Sequence, residues 1–307
     1  MTDVLPTRVL APAKVNLGLF LGPARTQDGR HELVTVMQSI SLADELTLER
    51  APAGVEHDEV VRPGVPGENL AARALAAFRA ATGWDAPPLR LQIVKRIPVA
   101  AGLGGGSADA AGALRLARHA SGLGDDALLR ELGAALGADV PAQIAPGRWL
   151  AGGAGELLEA LPDPNPSSFG LLVLPAAGGL STAVVYAEAD RLGLGRSTET
   201  LEQRRSALRR ALELSAAVPA ARELLENDLA PAAISLCPEI ADVRSQARDA
   251  GAEIALVSGS GPTVLGLFPH ANGLGRAERA AAGLQDRVPV PICATPVDAA
   301  FARVTSA

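Results

Sequence analysis

The stretch of sequence best suited to chemistry is PVAAGLGGGSADAAGAL, from Pro98 to Leu114. A strand that leads into a glycine run and then a helix forms a site for anions, because glycines lack the Cβ atoms that would keep a ligand from the backbone N–H groups. The start of the helix adds unsatisfied N–H groups and about half a positive charge. We therefore predict a phosphate site here. Ser107, at the predicted start of the helix, can offer its hydroxyl to a phosphate oxygen or to a magnesium ion.

The glycine run fits neither of the two commonest nucleotide-binding patterns. A P-loop needs a lysine directly before its Ser or Thr, but Gly106 precedes Ser107. In a dinucleotide pattern G-x-G-x-x-G that starts at Gly102, Ser107 stands where the third glycine is required. The run by itself also leaves a second interpretation open, a turn that only joins a strand to a helix.

Composition narrows the class of protein. The chain has 307 residues, 48% of them hydrophobic, and a net charge of −6, which is unlike a basic nucleic-acid-binding domain. No apolar run reaches the roughly 18 residues of a membrane span, and the N-terminus lacks signal-peptide features. Cys237 and Cys293 are far apart, which predicts buried free thiols in a reducing compartment. We expect a cytoplasmic monomer or homodimer that binds neither nucleic acid nor membrane.

Hydrophobic spacing predicts the elements that must position the glycine run. Apolar alternation predicts two short strands on either side of Pro12 and a strand from Leu89 that ends before Pro98. Asn69 is predicted to cap one helix, and Asp125 or Asp126 to cap another. The other predicted elements are strands within 33–48, helices over 69–82, 107–120, 124–137 and 197–225, a buried strand over 169–175, a strand–turn–strand over 252–268 and a last strand or two after 289.

Three prolines in LPDPNPSSFG, residues 161–170, predict a linker. We therefore divide the chain into two domains, residues 1–162 and 163–307. Strands and helices are mixed without regular βαβ repetition, which favours an α+β fold over a doubly wound sheet.

Three motifs together resemble one superfamily. The pattern P-x-x-x-G-L-G-G-G-S-A, residues 98–108, is similar to the ATP-binding loop of the galactokinase, homoserine kinase, mevalonate kinase and phosphomevalonate kinase (GHMP) superfamily. APAKVNLGL, residues 11–19, and SGSGPTVLGLF, residues 258–268, resemble two further motifs of that superfamily in the same order. Longer stretches narrow the resemblance to the branch that phosphorylates a cytidine-diphosphate-linked methylerythritol; these are PAKVNLGL, DGRHEL, KRIPVAAGLGGGSADAA, LGADVP and NDLAP.

The resemblance implies a fold and an activity. The expected fold is α+β with two domains, a ribosomal-protein-like N-terminal domain and a ferredoxin-like C-terminal domain, with the active site between them. The expected reaction uses ATP and Mg²⁺ to phosphorylate the 2-hydroxyl of the methylerythritol in the non-mevalonate route to isoprenoid precursors.

The resemblance also implies roles for single residues. Lys14 and Asp139 match catalytic positions; whether Asp139 accepts the hydroxyl proton or orients the hydroxyl and Lys14 stays open. The ATP-binding set is Asn69, which can also be a plain helix cap, with Pro98, Ala100, Ala101, Gly102, Leu103, Gly104, Gly105, Gly106, Ser107 and Ala108; Ser107 is also the expected Mg²⁺ ligand. The substrate-binding set is Lys14, Asn16, His31, Asp139, Thr182 and Tyr186.

One position departs from the family pattern. Where the family has an aromatic residue before the histidine, this chain has Arg30, which can stack on a base or point to solvent. Asn227 and Asp228 are expected to order a loop, and residues 258–261 to form a tight turn that supports the phosphate loop. Two alternatives compete with the leading function: another GHMP kinase, acting on homoserine or mevalonate, and a nucleotide-binding regulator without catalysis.

Overall fold

The computed structural model describes residues 5–64, 69–176, 178–214 and 224–307. Its strands are β1 (Thr7–Ala24), β2 (His31–Arg50), β3 (Glu59–Val61), β4 (Leu89–Val94), β5 (Arg148–Gly152), β6 (Leu157–Leu161), β7 (Phe169–Leu174), β8 (Ile254–Val257), β9 (Val264–Pro269), β10 (Ile292–Ala294) and β11 (Thr305–Ser306). Its helices are α1 (Leu70–Thr82), α2 (Gly105–Ser121), α3 (Asp126–Leu136), α4 (Val140–Ile144), α5 (Thr182–Leu192), α6 (Thr198–Leu214), α7 (Ala230–Leu236), α8 (Glu239–Asp249) and α9 (Gly273–Ala282).

The first sheet is built on a long antiparallel pair, β1 and β2. Its strand order is β11-β1-β2-β4-β3, and β5 pairs with both β2 and β6. The prediction of two short strands around Pro12 is wrong, because β1 runs through Pro12 as one strand of 18 residues. A register shift between Pro12 and Ala13 takes up the irregularity. The continuous strand carries the predicted residues Lys14 and Asn16, which pair with Ser39 and Met37 of β2.

Helices α1 and α2 cover one face of this sheet. The alanines of α2 are almost all buried, and an added Cβ at Gly112 would lie 3.0 Å from Leu46 Cδ2. Small side chains therefore let α2 lie close to β1 and β2. The predicted caps are confirmed: Asn69 Oδ1 accepts a hydrogen bond from Ala71 N at 2.9 Å, and Asp125 Oδ1 accepts one from Leu128 N at 2.9 Å.

The second sheet is antiparallel, with the order β10-β7-β9-β8. Every residue of β7 and β9 is buried, and α8 and α9 pack on the sheet. The predicted buried strand at 169–175 and the strand–turn–strand at 252–268 are confirmed by β7 and by the β8–β9 hairpin.

The chain returns to the first sheet after β10. Val297 N donates to Ser39 O at 3.0 Å, and β11 pairs with the start of β1. Helix α6 also packs against β1 and β2, through Leu201, Leu208 and Leu212. The mixed α+β class is thus confirmed, while the division at residue 162 stays a prediction.

Two further predictions are met in part. Helix α6 covers residues 198–214 of the predicted 197–225, and residues 215–223 lie outside the described part. Cys237 and Cys293 are free, as predicted, but half-buried rather than buried. Within the described residues, we find no helix long and apolar enough to cross a membrane.

Candidate active site

The glycine run lines a cavity of about 300 Å³. Residues 98–107 form its wall together with Arg62, Leu70, Lys95 and Ile97. Helix α2 begins at Gly105, two residues before the predicted start at Ser107. The backbone N–H groups of Gly105, Gly106 and Ser107 therefore belong to its first turn, where they have no intrahelical acceptor. The cavity is therefore lined by backbone donors that suit an anion, and phosphate binding there stays a prediction.

Two residues of the predicted ATP-binding set take part in helix structure. The Asn69 side chain caps α1, and its neighbour Leu70 lines the cavity. Ala108 is buried, and its N–H donates to Gly104 O at 2.8 Å. Contact of Asn69 and Ala108 with ATP stays a prediction.

Two glycines of the loop require a bare backbone. Gly104 has φ +69°, and an added Cβ would lie 2.9 Å from Lys14 Cγ. Gly102 has φ +73°, and its Cβ would lie 2.8 Å from the carbonyl oxygen of Gly261. Both positions combine a left-handed backbone with close contact. These glycines therefore let the loop lie directly against β1 and against the turn after β8.

The loop is attached to both sheets by hydrogen bonds. Lys14 N donates to Leu103 O at 3.0 Å, and Thr263 Oγ1 donates to Ala101 O at 2.6 Å. Because Thr263 belongs to the turn between β8 and β9, the loop is supported from the other sheet. The hydrogen bond comes from Thr263, just beyond the predicted turn 258–261, whereas Gly261 contacts Gly102.

Lys14 and Asp139 meet beside this loop. Lys14 Nζ lies 3.3 Å from Asp139 Oδ2, and it donates to Asn16 Oδ1 at 2.9 Å. The residue Lys14 is only 8% exposed. Asp139 stands at the N-cap position of α4, yet its carboxylate makes no capping hydrogen bond. The carboxylate is thus available to the lysine and to a substrate.

The turn after β8 supports this pair. Ser258 Oγ accepts a hydrogen bond from Asn16 N at 3.3 Å. Gly259 has φ +57°, and an added Cβ would lie 3.1 Å from Asn16 Oδ1. Asn227 Nδ2 donates to the carbonyl oxygens of Val257 and Gly259, both at 2.7 Å. Asn227 therefore ties the segment before α7 to the turn, and Asp228 holds Arg196 in a two-pronged ion pair.

The predicted nucleobase residues form a second cluster. His31 and Tyr186 face each other with ring centroids 5.6 Å apart. His31 Nδ1 lies 2.9 Å from Gly22 O, and its Nε2 lies 3.0 Å from Asp190 Oδ1. Thr182, on the same helix, lies 3.1 Å from Ser260 by their hydroxyl oxygens. Residues 182, 186 and 190 are four apart and share one face of α5.

The two clusters lie within electrostatic reach of each other. Burial raises the pKa of the Tyr186 phenol, the Asp139 carboxylate adds to the rise, and Arg30 opposes it. The Arg30 guanidinium donates to Ala154 O at 2.8 Å. Arg30 is thus exposed but anchored by a hydrogen bond, and its stacking on a base stays a prediction.

Known families match the chain over both halves. The family described as GHMP kinases N terminal domain matches residues 69–147, and the family described as GHMP kinases C terminal matches residues 198–289. A 4-diphosphocytidyl-2-C-methyl-D-erythritol kinase of Streptomyces coelicolor is 42% identical over 83% of this chain and 85% of its own length. The chain belongs to this family of GHMP kinases.

Solved structures agree with the family. A crystal structure of 4-(cytidine 5'-diphospho)-2C-methyl-D-erythritol kinase is 34% identical, with a TM-score of 0.74, covering 95% of this chain and 99% of that one. A homoserine kinase from Cytophaga hutchinsonii has a TM-score of 0.70 at 17% identity, covering 99% of this chain and 98% of its own. The homoserine kinase shows the shared fold alone. The predicted two-domain GHMP kinase fold is confirmed.

A buried charge cluster under the glycine loop escaped the sequence-based prediction. The Lys95 ammonium is ion-paired with Asp44 and lies 2.7 Å from Asp109 Oδ2. Burial raises the pKa of Asp109 to about 7; Lys95 opposes the rise and Asp44 adds to it. Asp109 Oδ1 is buried and has no hydrogen-bond partner among the described residues. Lys95 therefore presents a cation to the cavity and is held there by Asp44 and Asp109.

Residue counts carry a signal that could have found Lys95. Of the 28 Lys and Arg residues in the chain, only Lys14 and Lys95 are lysines, and both lie at the glycine loop. A compact ammonium fits between small groups where a planar guanidinium does not. A lysine in a chain that otherwise uses arginine thus indicates a position that needs a point charge.

The described residues offer little to a metal ion by themselves. No group of three or more His, Cys, Asp or Glu side chains in these ranges could hold an ion. Ser107 lines the cavity beside the start of α2. A magnesium ion held mainly by phosphate oxygens needs only one or two protein ligands, which fits this arrangement.

Proposed function

We propose that this chain is an ATP-dependent kinase that phosphorylates the 2-hydroxyl of 4-(cytidine 5'-diphospho)-2-C-methyl-D-erythritol, in the non-mevalonate route to isoprenoid precursors. The observation that carries the proposal is the Lys14–Asp139 pair, whose lysine is hydrogen-bonded through its backbone to the glycine loop. A carboxylate and an ammonium beside a phosphate site suit transfer of a phosphoryl group to an alcohol.

The roles of the pair follow from its contacts. The Asp139 carboxylate, free of any cap, accepts the proton of the substrate hydroxyl or orients that hydroxyl for attack. The buried Lys14 ammonium stabilises the negative charge that develops on the hydroxyl oxygen and on the transferred phosphoryl group. Positioning supplies most of the rate in such reactions, so both roles of Asp139 require the same geometry.

The phosphate end is assigned to the glycine loop. The N–H groups of Gly105, Gly106 and Ser107 bind phosphate oxygens, and the Ser107 hydroxyl is the ligand that the chain offers to Mg²⁺. ATP with Mg²⁺ supplies the transferable phosphoryl group when bound. Lys95, at the wall of the same cavity, adds a positive charge to the phosphate site.

The cytidine end is assigned to the cluster around Tyr186. His31 is assigned to an edge of the cytosine; because Gly22 O and Asp190 Oδ1 occupy its two ring nitrogens, one of these contacts gives way when the base binds. The Tyr186 ring packs on the face of the base. Thr182, in this cluster, and Asn16, beside Lys14, both contact the Ser258–Ser260 turn, which links the cluster to the catalytic pair. Homoserine and mevalonate carry no base, so this cluster favours the cytidyl substrate over both.

The test is a comparison of acceptors. Purified protein with ATP and Mg²⁺ is offered the cytidyl substrate, mevalonate and homoserine separately, and ADP release is measured. We expect turnover with the cytidyl substrate alone. Turnover of another acceptor would assign a different kinase activity, and ATP binding without turnover of any acceptor would support the regulator instead.

A matched pair of variants tests the catalytic assignment. We expect D139N to lower kcat by about 10²- to 10⁴-fold. D125N is the control, because Asp125 caps α3 through one oxygen and an asparagine caps equally well. Near-wild-type turnover by a folded D139N protein would refute the role of Asp139.

A further inference from the structure

We propose that Thr35 is a positioning residue for Lys14 and that it acts through the side-chain amide of Asn16. Thr35 is on β2, only 3% exposed, and it lies between Asn16 and the backbone of β1. The inference rests on the catalytic role proposed for Lys14, but the hydrogen bonds that support it are independent of the substrate.

The hydroxyl of Thr35 has one proton, and the carbonyl group of Gly18 determines the direction in which that proton points. Thr35 Oγ1 donates to Gly18 O at 2.6 Å, because a carbonyl oxygen can only accept. Toward Asn16 the hydroxyl can therefore only accept, and it does so from Asn16 Nδ2 at 2.8 Å. The amide nitrogen of Asn16 must face Thr35.

The orientation of the amide then decides what faces the lysine. With Nδ2 turned to Thr35, the other end of the amide, Oδ1, faces Lys14 Nζ at 2.9 Å. An ammonium has donors only, so it needs this oxygen. Gly259 leaves room for the oxygen, since an added Cβ there would lie 3.1 Å from it. The Lys14 ammonium is thus held between Asn16 Oδ1 and Asp139 Oδ2.

Without the Thr35 hydroxyl, the amide loses its directional constraint. A flipped Asn16 would present an NH₂ group to the ammonium, and two donors would then face each other in a buried site. Lys14 would have to move away from Asn16, and a displacement of about 1 Å in such a site costs about a hundredfold in rate. If the Thr35 hydroxyl had only a structural role, its loss would lower the free energy of unfolding and leave the Lys14 ammonium in its place.

Three variants separate these possibilities. T35V keeps the shape of the side chain and removes the hydroxyl, whereas T35S keeps the hydroxyl. T7V is the matched control, because Thr7 lies on β1, is 1% exposed and has a hydroxyl without a hydrogen-bond partner among the described residues. We expect T35V to lower kcat at least about tenfold with little change in the KM for ATP. We expect T35S and T7V to stay near wild type.

A spectroscopic readout tests the inference without the reaction. Protein labelled with ¹⁵N-lysine has only two side-chain ammonium groups, Lys14 and Lys95, and K95R assigns their signals. We expect T35V to shift or remove the Lys14 signal and to leave the Lys95 signal in place. If the wild type has no kinase activity but T35V shifts the Lys14 signal, the proposed function fails and the positioning role stands.

Two results would overturn the inference. One is an unchanged Lys14 signal in folded T35V, whatever the kinase activity. The other is a T35S protein as impaired in kcat as T35V, since the hydroxyl would then have no part in the effect.

Discussion

Replacing Gly104 with alanine tests whether the glycine loop must lie against Lys14. Gly104 has φ +69°, and holding an alanine in this left-handed conformation costs about 1–2 kcal/mol of folding free energy. Its Cβ would lie 2.9 Å from Lys14 Cγ and 3.3 Å from Cε, whereas ordinary contact begins at 3.4 Å. The aliphatic chain of Lys14 must therefore retreat by about half an ångström. Because Asn16 and Asp139 hold its ammonium, that retreat misplaces the charge.

The matched control lies at the other end of the same helix. Gly122 has φ +68°, and an added Cβ there meets no atom within 4 Å. We expect G122A to lose about 1–2 kcal/mol of unfolding free energy in denaturant titrations. We expect G104A to lose at least as much, because its Cβ also displaces Lys14. In a coupled ADP-release assay, kcat should fall at least about tenfold in G104A and stay near wild type in G122A. Wild-type kcat in G104A, or an equal loss in G122A, would refute the reasoning.

Two more predictions concern Asp109, beside Lys95, and Asp190, beside His31. The pKa of Asp109 is about 7 in the folded chain and 3.8 in an unperturbed aspartate. Between these pH values the folded chain binds more protons than the unfolded chain. The free energy of unfolding therefore falls as pH rises from about 4 to about 7. The unfolding free energy of D109N should therefore match wild type near pH 4 and exceed it above pH 7 in denaturant titrations; parallel profiles would contradict the assignment. Because Asp190 contacts His31 Nε2 while 61% exposed at its side chain, D190N should raise the KM for the cytidyl substrate by about three- to tenfold with an unchanged KM for ATP. An equal rise in both constants would count against a role at the base.

Local patterns in the sequence predicted most of the elements. Capping residues placed the starts of α1 and α3, since a side-chain oxygen that satisfies a free N–H is a short-range interaction. The hairpin of β8 and β9 was equally readable from apolar strands around a Ser/Gly turn. The prediction failed at Pro12, because pairing with β2 along its length keeps β1 extended through a residue that locally favours a break.

The sequence predicted only part of the candidate site. The residues with chemistry on β1, the glycine loop and α4 could be named from their motifs. Their mutual contacts could not, and Thr35, Lys95 and Asp190 went unnoticed because each looks like an ordinary strand or surface residue in isolation. Arg30 is similar: its type suggested stacking, and only the fold placed Ala154 O within its reach.

The sequence by itself determined the family, the glycine loop and the side chains that this protein has for chemistry. These depend on residue types at short spacing, where backbone freedom, capping and motif order act locally. Only the tertiary structure decided which end of the Asn16 amide faces Lys14, and which carboxylates surround Lys95. Those outcomes depend on strand register and on helix packing between residues far apart in the chain. Both outcomes are governed by hydrogen-bond direction and by burial, which are defined only once the chain has folded.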